Sequence, residues 1–295
     1  MSLVATLISN PAARALEPSL ANMASQAVLA TATRWLANGI ACDLDLPDGL
    51  TEASAYAALR SALASAPIDV VVQDSLTRVR KILIADMDST MIDQECIDEL
   101  ADEIGIKAHV AEITARSMNG EIAFEPALRE RVALLAGLEA DVVDRIIATR
   151  LTLASGGREL VATMRANGAR TALVSGGFTV FTGPIAEMLG FDENRANHLV
   201  QADGRLTGKV AEPILGRAAK ADALRDIAAR LGLTPADALA VGDGANDLDM
   251  LEIAGAGVAL HAKPAVAAQA RIRIDHGDLT ALLYLQGYRK DEFAA

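Results

Sequence analysis

Four short, almost entirely apolar runs constrain the fold of this chain more than any other feature of its sequence. Each run is four residues long, and helix-like stretches separate them. The runs are residues 82–85, 171–174, 238–241 and 257–260. Short runs that are apolar at nearly every position, rather than at every second one, are typical of strands buried on both faces of a sheet. Such strands alternating with helices predict an α/β fold with a Rossmann-like parallel sheet at its core.

The first two runs are about eighty residues apart, far more than one crossover helix needs. Much of the intervening sequence over 95–150 is amphipathic with helical spacing. We therefore expect a helical cap inserted at about residues 95–152. A second insertion over 198–210 has Asp203-Gly204 between two strand-like arms. Asp-Gly favours a two-residue turn, so this insertion is predicted to be a β-hairpin.

The first 76 residues carry a different pattern, which predicts a separate small α+β domain ahead of a main domain at 77–295. The predicted order is β-α-β-β-α-β. Its elements are strand 3–9, helix 12–29, strands 31–37 and 40–46 around Asn38-Gly39, helix 52–64 after Thr51 as N-cap, and strand 68–72. In topology alone this order resembles the ACT-type amino-acid-binding module. Binding of a small ligand, docking and dimerisation are all open roles for this domain.

Composition and charge exclude several classes of protein. The chain has 27 Lys and Arg residues against 39 Asp and Glu, a net charge of −12, and only 3% aromatic residues. A nucleic-acid partner calls for clustered cations and stacking rings, so we expect none. No apolar run approaches the roughly 18 residues of a membrane helix, so we expect no membrane partner either.

The cysteines and the first residues indicate a cellular compartment. The chain has two cysteines, Cys42 and Cys96, which cannot make a disulfide framework and suit a reducing compartment. Its first residues lack the cationic segment of a secretory signal. We therefore expect a cytoplasmic protein, with a homodimer as an open alternative to a monomer.

Polar residues follow three of the four apolar runs. They are residues 86–90 (Asp-Met-Asp-Ser-Thr), 175–177 (Ser-Gly-Gly) and 242–247 (Gly-Asp-Gly-Ala-Asn-Asp). Each group alone has an ordinary explanation as a helix cap or a turn. The third is no dinucleotide fingerprint, because Asp247 stands where the last glycine would be. Since the carboxyl ends of parallel strands meet at one edge of a sheet, the three groups together predict a single pocket.

These groups also carry a resemblance to a known family. Asp86-x-Asp88-x-Thr90, Ser175, Lys220 and Gly242-Asp243-x-x-x-Asp247 resemble the four motifs of the haloacid dehalogenase superfamily. Within that superfamily, residues 86–90, 95–99, 124–132, 175–178 and 242–250 resemble the phosphoserine phosphatases. The resemblance extends over about residues 78–285.

The resemblance implies a role for each matching acidic residue. It implies that Asp86 is the nucleophile that forms an aspartyl-phosphate, and that Asp88 is the general acid and base. The implied metal ligands are Asp86, the backbone carbonyl of Asp88 and Asp243, with Asp247 orienting them and Thr90 in support. Because all these ligands are oxygens, the implied cofactor is Mg²⁺. The four histidines are scattered, without the spacing of a zinc site.

The resemblance also implies which residues hold the substrate. The implied phosphate-binding groups are the Ser175 hydroxyl, the Gly176 amide, the Lys220 ammonium and Asn246. Lys220 differs from the others, because its helical stretch taken alone predicts a solvated surface lysine. The family uses Glu95 for a substrate ammonium and Arg131 for a carboxylate, which suits the guanidinium fork. Met118 and Phe124 are candidates for an apolar pocket wall, and core packing explains them equally well.

The implied function is Mg²⁺-dependent hydrolysis of O-phospho-L-serine to L-serine and phosphate, the last step of L-serine biosynthesis. Two alternatives stay open. A phosphatase or phosphotransferase for phosphohomoserine or phosphothreonine would use the same Glu95 and Arg131, since only pocket volume separates these substrates. An amino-acid-sensing binding protein with a decayed phosphatase fold should have lost Asp86, Asp88 or Asp243, and all three are present.

Overall fold

The computed structural model describes residues 2–294, which divide into two compact units. The first unit comprises the chain up to Arg80, the segment Ser155–Gly168 and the chain from Ile272 on. The second comprises Lys81–Ala154 and Ala169–Arg271. The division into domains at 1–76 and 77–295 concerns which parts fold independently, and it stays a prediction.

The regular elements are numbered in chain order. The strands are β1 (Leu3–Ser9), β2 (Ala32–Ala37), β3 (Ala41–Asp45), β4 (Ile68–Asp74), β5 (Ile82–Ala85), β6 (Arg170–Phe178), β7 (Glu193–Asn197), β8 (Leu199–Ala202), β9 (Arg205–Val210), β10 (Ala238–Gly242), β11 (Ala256–Leu260) and β12 (Ile272–Ile274). The α-helices are α1 (Pro18–Ala27), α2 (Glu52–Leu63), α3 (Cys96–Asp102), α4 (Lys107–Met118), α5 (Phe124–Ala133), α6 (Val142–Thr149), α7 (Gly157–Ala166), α8 (Thr179–Leu189), α9 (Arg217–Arg230), α10 (Leu248–Ile253), α11 (Pro264–Ala267) and α12 (Ala281–Tyr284). Short 3₁₀ helices lie at Pro235–Asp237, Ala245–Asp247 and Lys290–Glu292. None of the helices within 2–294 has the length and apolar character needed to cross a membrane.

The first unit contains the predicted β-α-β-β-α-β arrangement. Its strands form an antiparallel sheet in the order β2-β3-β1-β4. The predicted turn at Asn38-Gly39 joins β2 to β3, and Gly39 has a φ of +76°, which favours glycine. Thr51 caps α2 as predicted, because its hydroxyl accepts the Ser54 amide at 3.1 Å.

Helix α1 is shorter than the predicted helix over 12–29, since it begins only at Pro18. The Asn10 side chain accepts the amide of Ala12 at 2.9 Å, which favours a turn at this point. Proline lacks an amide proton and therefore suits the first turn of a helix. Local side-chain chemistry thus shortened the helix that the apolar spacing predicted.

The predicted parallel sheet forms the core of the second unit. Five of its strands run parallel in the order β11-β10-β5-β6-β7. All four apolar runs are strands, and every residue of β5, β10 and β11 is buried. Strand β6 is longer than its apolar run, because it continues through the Ser-Gly-Gly group to Phe178.

The predicted helical cap consists of α3, α4, α5 and α6. The predicted hairpin is β8 and β9, joined at Asp203-Gly204. The hairpin is bonded to the cap segment between α5 and α6: the Gly137 amide donates to the Leu206 carbonyl at 2.8 Å, and the Leu206 amide donates to the Leu138 carbonyl at 2.8 Å. The two insertions into the sheet are therefore tied to each other.

Candidate active site

The carboxyl ends of β5, β6 and β10 meet at one edge of the sheet, because these strands are neighbours. A cleft lies there. Ten of the thirteen site residues predicted from the sequence line it: Asp86, Asp88, Glu95, Met118, Phe124, Arg131, Ser175, Gly176, Asp243 and Asn246. The other three, Thr90, Lys220 and Asp247, are buried at 0–1% exposure.

Four further residues line the cleft and were not among the predicted site residues: Ile97, Leu128, Gly177 and Phe178. Each stands in a sequence group already singled out above: Ile97 in 95–99, Leu128 in 124–132, and Gly177 and Phe178 in 175–178. Three of them are apolar, so their own chemistry did not distinguish a pocket wall from ordinary core packing.

Lys220 is buried next to the cleft and forms ion pairs with two carboxylates. Its ammonium lies 2.8 Å from Asp86 Oδ1 and 2.7 Å from Asp247 Oδ1. The lysine side chain is fully buried on α9, so the surface position that its helical stretch predicts is wrong. Its two carboxylate partners raise the pKa of Lys220 against the opposing effect of burial, so it stays a cation.

Three carboxylates converge at this point. Ligand oxygens of Asp86, Asp243 and Asp247 lie within 4.8 Å of one another, and all three residues are buried. Burial, followed by the charges of Asp247 and Asp86, raises the pKa of Asp243 to about 8. Burial and then Asp86 raise the pKa of Asp247 to about 6. One buried lysine cannot neutralise three carboxylates, so this all-oxygen cluster is suited to holding a metal ion.

Asp88 also lines the cleft. Its Oδ1 accepts the Cys96 amide at 2.8 Å, and its Oδ2 accepts the Ser175 hydroxyl at 3.4 Å. Burial raises the pKa of Asp88 to about 6; the Cys96 amide opposes this effect, and the charge of Asp86 adds to it. A carboxyl group with a pKa in this range can both give and take a proton near neutral pH.

Glycines let the chain pass close to the reactive groups. A Cβ on Gly176 would lie 2.7 Å from the Phe124 ring, and a Cβ on Gly177 would lie 2.7 Å from Asp88 Oδ2. The amide of Gly177 donates to the Ser175 hydroxyl at 2.8 Å. Asn246 faces this segment, and its buried Oδ1 has no hydrogen-bond partner within residues 2–294. The glycines therefore let the backbone at the end of β6 approach Phe124 and Asp88 closely, and Asn246 offers an unpaired polar atom beside it.

Gly242, the last residue of β10, is pressed against Asp247. A Cβ at this position would lie 2.3 Å from Asp247 Cγ. We expect Gly242→Ala to lower the free energy of unfolding by about 1–3 kcal/mol, because Asp247 is held by Lys220 and cannot move aside freely. Urea unfolding of the single variants and of Gly242→Ala/Asp247→Ala measures the effect. An equally large cost of Gly242→Ala with and without Asp247 would contradict this explanation.

Arg131 and Glu95 lie on the cap side of the same cleft. Arg131 is only 2% exposed, and burial lowers its pKa while Glu95 and Asp98 oppose that shift. Burial, and then Asp88 and Asp243, raise the pKa of Glu95 well above its usual value. The Ser89 hydroxyl donates to Glu95 at 2.6 Å. The cleft is thus lined by one buried cation, Arg131, and by the carboxyl group of Glu95.

Comparison with known proteins relates this cleft to a family of hydrolases. A family model described as haloacid dehalogenase-like hydrolase matches residues 83–252. A phosphoserine phosphatase of Streptomyces coelicolor is 44% identical over 243 residues, which cover 80% of this chain and 59% of that protein. A phosphoserine phosphatase of Polaromonas sp. is 45% identical over 210 residues, covering 70% of this chain and 89% of that protein. The chain thus spans about three fifths of the first relative and most of the second.

Solved structures agree with the sequence comparisons. A HAD family hydrolase from Salmonella enterica serovar Typhi superposes with a TM-score of 0.83 at 31% identity, over 97% of this chain and 98% of that one. A phosphoserine phosphatase solved as a phospho-aspartyl intermediate analogue has a TM-score of 0.67 at 40% identity, over 70% of this chain and 98% of that one.

Proposed function

Because this chain belongs to the haloacid dehalogenase-like hydrolase family, we propose that it hydrolyses O-phospho-L-serine to L-serine and inorganic phosphate. The observation that carries the proposal is the pairing of two kinds of group in one cleft. Asp86 and Lys220, 2.8 Å apart, form an end suited to a phosphate, whereas Glu95 and Arg131 form an end suited to an amino acid.

The phosphate of the substrate requires donors and a nucleophile in line with its ester bond. We assign the donors to the Ser175 hydroxyl, the Gly176 amide, the Lys220 ammonium and the Asn246 amide group. A carboxylate oxygen of Asp86 attacks the phosphorus atom, and the bond from phosphorus to the serine oxygen breaks. The product of this step is L-serine and a phosphate carried on Asp86.

Asp88 moves the protons in both halves of the reaction. It gives its proton to the departing serine oxygen, and it then takes a proton from the water that attacks the phosphate on Asp86. The pKa of about 6 that burial gives to Asp88 suits both tasks. Ser175 and the Cys96 amide, which contact opposite oxygens of Asp88, hold the carboxyl group in place.

The residues present fit a magnesium ion. Asp86, Asp243 and the backbone carbonyl of Asp88 would hold it, and Asp247 would orient these ligands. Carboxylate and carbonyl oxygens are the ligands that Mg²⁺ prefers, and the single buried lysine leaves negative charge uncompensated. When bound, the ion would neutralise charge on the phosphate oxygens.

Substrate selectivity tests this proposal. Two analogues each lack one charged group of phosphoserine: phosphoethanolamine lacks the carboxylate, and 3-phosphoglycerate has a hydroxyl group in place of the ammonium. Because charge-assisted contacts to Arg131 and Glu95 are lost, we expect kcat/KM for either analogue to be about 10- to 100-fold lower. Phosphate release with Mg²⁺ measures this, alongside phosphothreonine, phosphohomoserine and p-nitrophenyl phosphate.

Two controls complete that experiment. A chelator is expected to abolish turnover, and Arg131→Ala is expected to remove the preference for phosphoserine over phosphoethanolamine. Activity that does not distinguish phosphoserine from p-nitrophenyl phosphate would overturn the assignment of the substrate and retain the phosphatase chemistry. Absence of metal-dependent phosphate release from any ester would overturn the proposed function itself.

The proposal extends to the rest of the chain. We assign residues 1–76 to an ACT-like domain and residues 77–295 to the phosphatase domain. A cytoplasmic location is consistent with the two unpaired cysteines, Cys42 and Cys96. A homodimer is part of the proposal too, and light scattering of the full chain tests it.

A further inference from the structure

We propose that Asp98 and Thr114 are positioning residues that hold the guanidinium of Arg131 in the orientation needed for the substrate carboxylate. This inference rests on the proposed function, because it concerns how the same cleft selects an amino acid. Neither residue lines the cleft, and both are buried in the cap, at 9% and 3% exposure.

The guanidinium of Arg131 is held along one side. Its Nε donates to the Ala127 carbonyl of the same helix at 3.1 Å, and its Nη1 donates to the Thr114 hydroxyl at 2.9 Å. Within residues 2–294 its Nη2 has no hydrogen-bond partner, although Arg131 lines the cleft. The contacts therefore fix the plane of the group and leave donors for a ligand.

Thr114 is the middle of a chain of hydrogen bonds that joins α3, α4 and α5. Its hydroxyl accepts from Arg131 and has one proton to donate. Two acceptors lie within reach of that proton, Asp98 Oδ1 at 2.9 Å and the Val110 carbonyl at 3.0 Å. A carboxylate is the stronger acceptor, so donation to Asp98 leaves the threonine lone pairs directed at Arg131.

The hydroxyl bridge has a consequence that a direct ion pair would not have. A carboxylate bonded directly to Arg131 would take two of its donors and compete with the substrate carboxylate for the same fork. Through Thr114, Asp98 balances the charge of a buried arginine without occupying that fork. Burial raises the pKa of Asp98, and its hydrogen bond with Thr114 and the nearby charge of Arg131 oppose that shift.

The test compares two variants of Thr114 on two substrates. Thr114→Val keeps the shape of the side chain and removes the hydroxyl, whereas Thr114→Ser keeps the hydroxyl. With Thr114→Val in the full chain and Mg²⁺ present, we expect KM for phosphoserine to rise about tenfold with kcat little changed. We expect KM for phosphoethanolamine, which has no carboxylate, to change less than about twofold, and Thr114→Ser to resemble the wild type on both.

Two further variants separate positioning from folding. Asp98→Asn is expected to raise KM for phosphoserine selectively, as Thr114→Val does, and it keeps the volume of the side chain. Thr149→Val is the matched control, because it makes the same substitution at an exposed cap threonine whose hydroxyl donates, among the described residues, only to a carbonyl of its own helix, at 2.7 Å. This control is expected to change neither substrate's KM.

The outcomes are distinguishable. Equal losses on both substrates, or no loss in Thr114→Val and Asp98→Asn, would overturn the positioning role while the preference of the wild type for phosphoserine survives. A wild type without that preference, or an Arg131→Ala variant that retains it, would instead overturn the assignment of the substrate and of Arg131 as its carboxylate-binding residue, and the inference with it.

Discussion

Replacement of Asp86 with asparagine is expected to lower kcat for O-phospho-L-serine by about four orders of magnitude or more. Asparagine has nearly the same shape as aspartate, but its neutral amide is a poor nucleophile toward phosphorus. The substitution also removes one of the two carboxylates bonded to Lys220, so the buried charge becomes more balanced rather than less. Phosphate release under saturating substrate measures the loss in kcat.

A variant of the same loop region and the same chemical change serves as the control for Asp86→Asn. Asp93 is exposed, so Asp93→Asn is expected to retain wild-type kcat. Fluoroberyllate, which imitates a phosphate on a carboxylate, should bind the wild type and Asp93→Asn but not Asp86→Asn. Turnover by Asp86→Asn close to that of the wild type would contradict the assignment of Asp86 as nucleophile.

Replacement of Lys220 with methionine is expected to have the second-largest effect. It removes the buried cation that joins Asp86 and Asp247, so the carboxylates repel one another and the phosphate loses a donor. We expect kcat/KM to fall by about 10²- to 10³-fold. We also expect the free energy of unfolding at pH 7 without metal to fall by about 3–5 kcal/mol, because one side of a buried ion pair is left uncompensated. Urea unfolding and initial rates measure the two effects.

The stability loss of Lys220→Met is expected to depend on pH. In the wild type, burial raises the pKa of Asp247 to about 6, so the folded protein binds this proton more tightly than the unfolded chain does. The contribution of Asp247 to the free energy of unfolding is therefore greatest in acid, and it is lost as the pH rises through about 6. Without Lys220 the same pKa must rise further, so the loss in the variant should be smaller at pH 5 than at pH 8.

Lys263 provides the matched control for that experiment. It forms an ion pair with Asp243 at 3.5 Å, but its side chain is 37% exposed. Water screens such a pair, so we expect Lys263→Met to change stability by less than about 1 kcal/mol. A similar loss in both variants, or a loss in Lys220→Met that is the same at both pH values, would contradict the role given to the buried lysine.

The fold could be predicted from the sequence because its signals are local. Strands such as Ile82–Ala85 are apolar at every position, and burial on both faces of a sheet is the usual cause of that pattern. The turns at Asn38-Gly39 and Asp203-Gly204 were predictable because the backbone conformation they need suits few residues. Helix α1 was predicted too long, because the spacing of apolar residues does not show the turn at Asn10 that competes with the helix.

The residues of the candidate site could be predicted in part. The acidic and glycine-rich groups after three strands indicated one edge of the sheet, and the structure brings Asp86, Ser175 and Asp243 to one cleft there. Asp98 and Thr114 were given no role from the sequence, although Asp98 stands in the 95–99 group. The role proposed for them depends on the hydrogen bonds from Arg131 to Thr114 and from Thr114 to Asp98, which only the packing of three helices creates.

The sequence by itself determined the fold class, the inserted cap and the edge of the sheet where polar residues gather, since these follow from periodicity, turn chemistry and strand order. Only the tertiary structure decided which charged side chains are buried and which of them form ion pairs. Lys220 has the sequence surroundings of an exposed lysine, and it is fully buried between two carboxylates from distant parts of the chain. Burial and pairing of charge depend on which elements pack together, and no local pattern of residues contains that information.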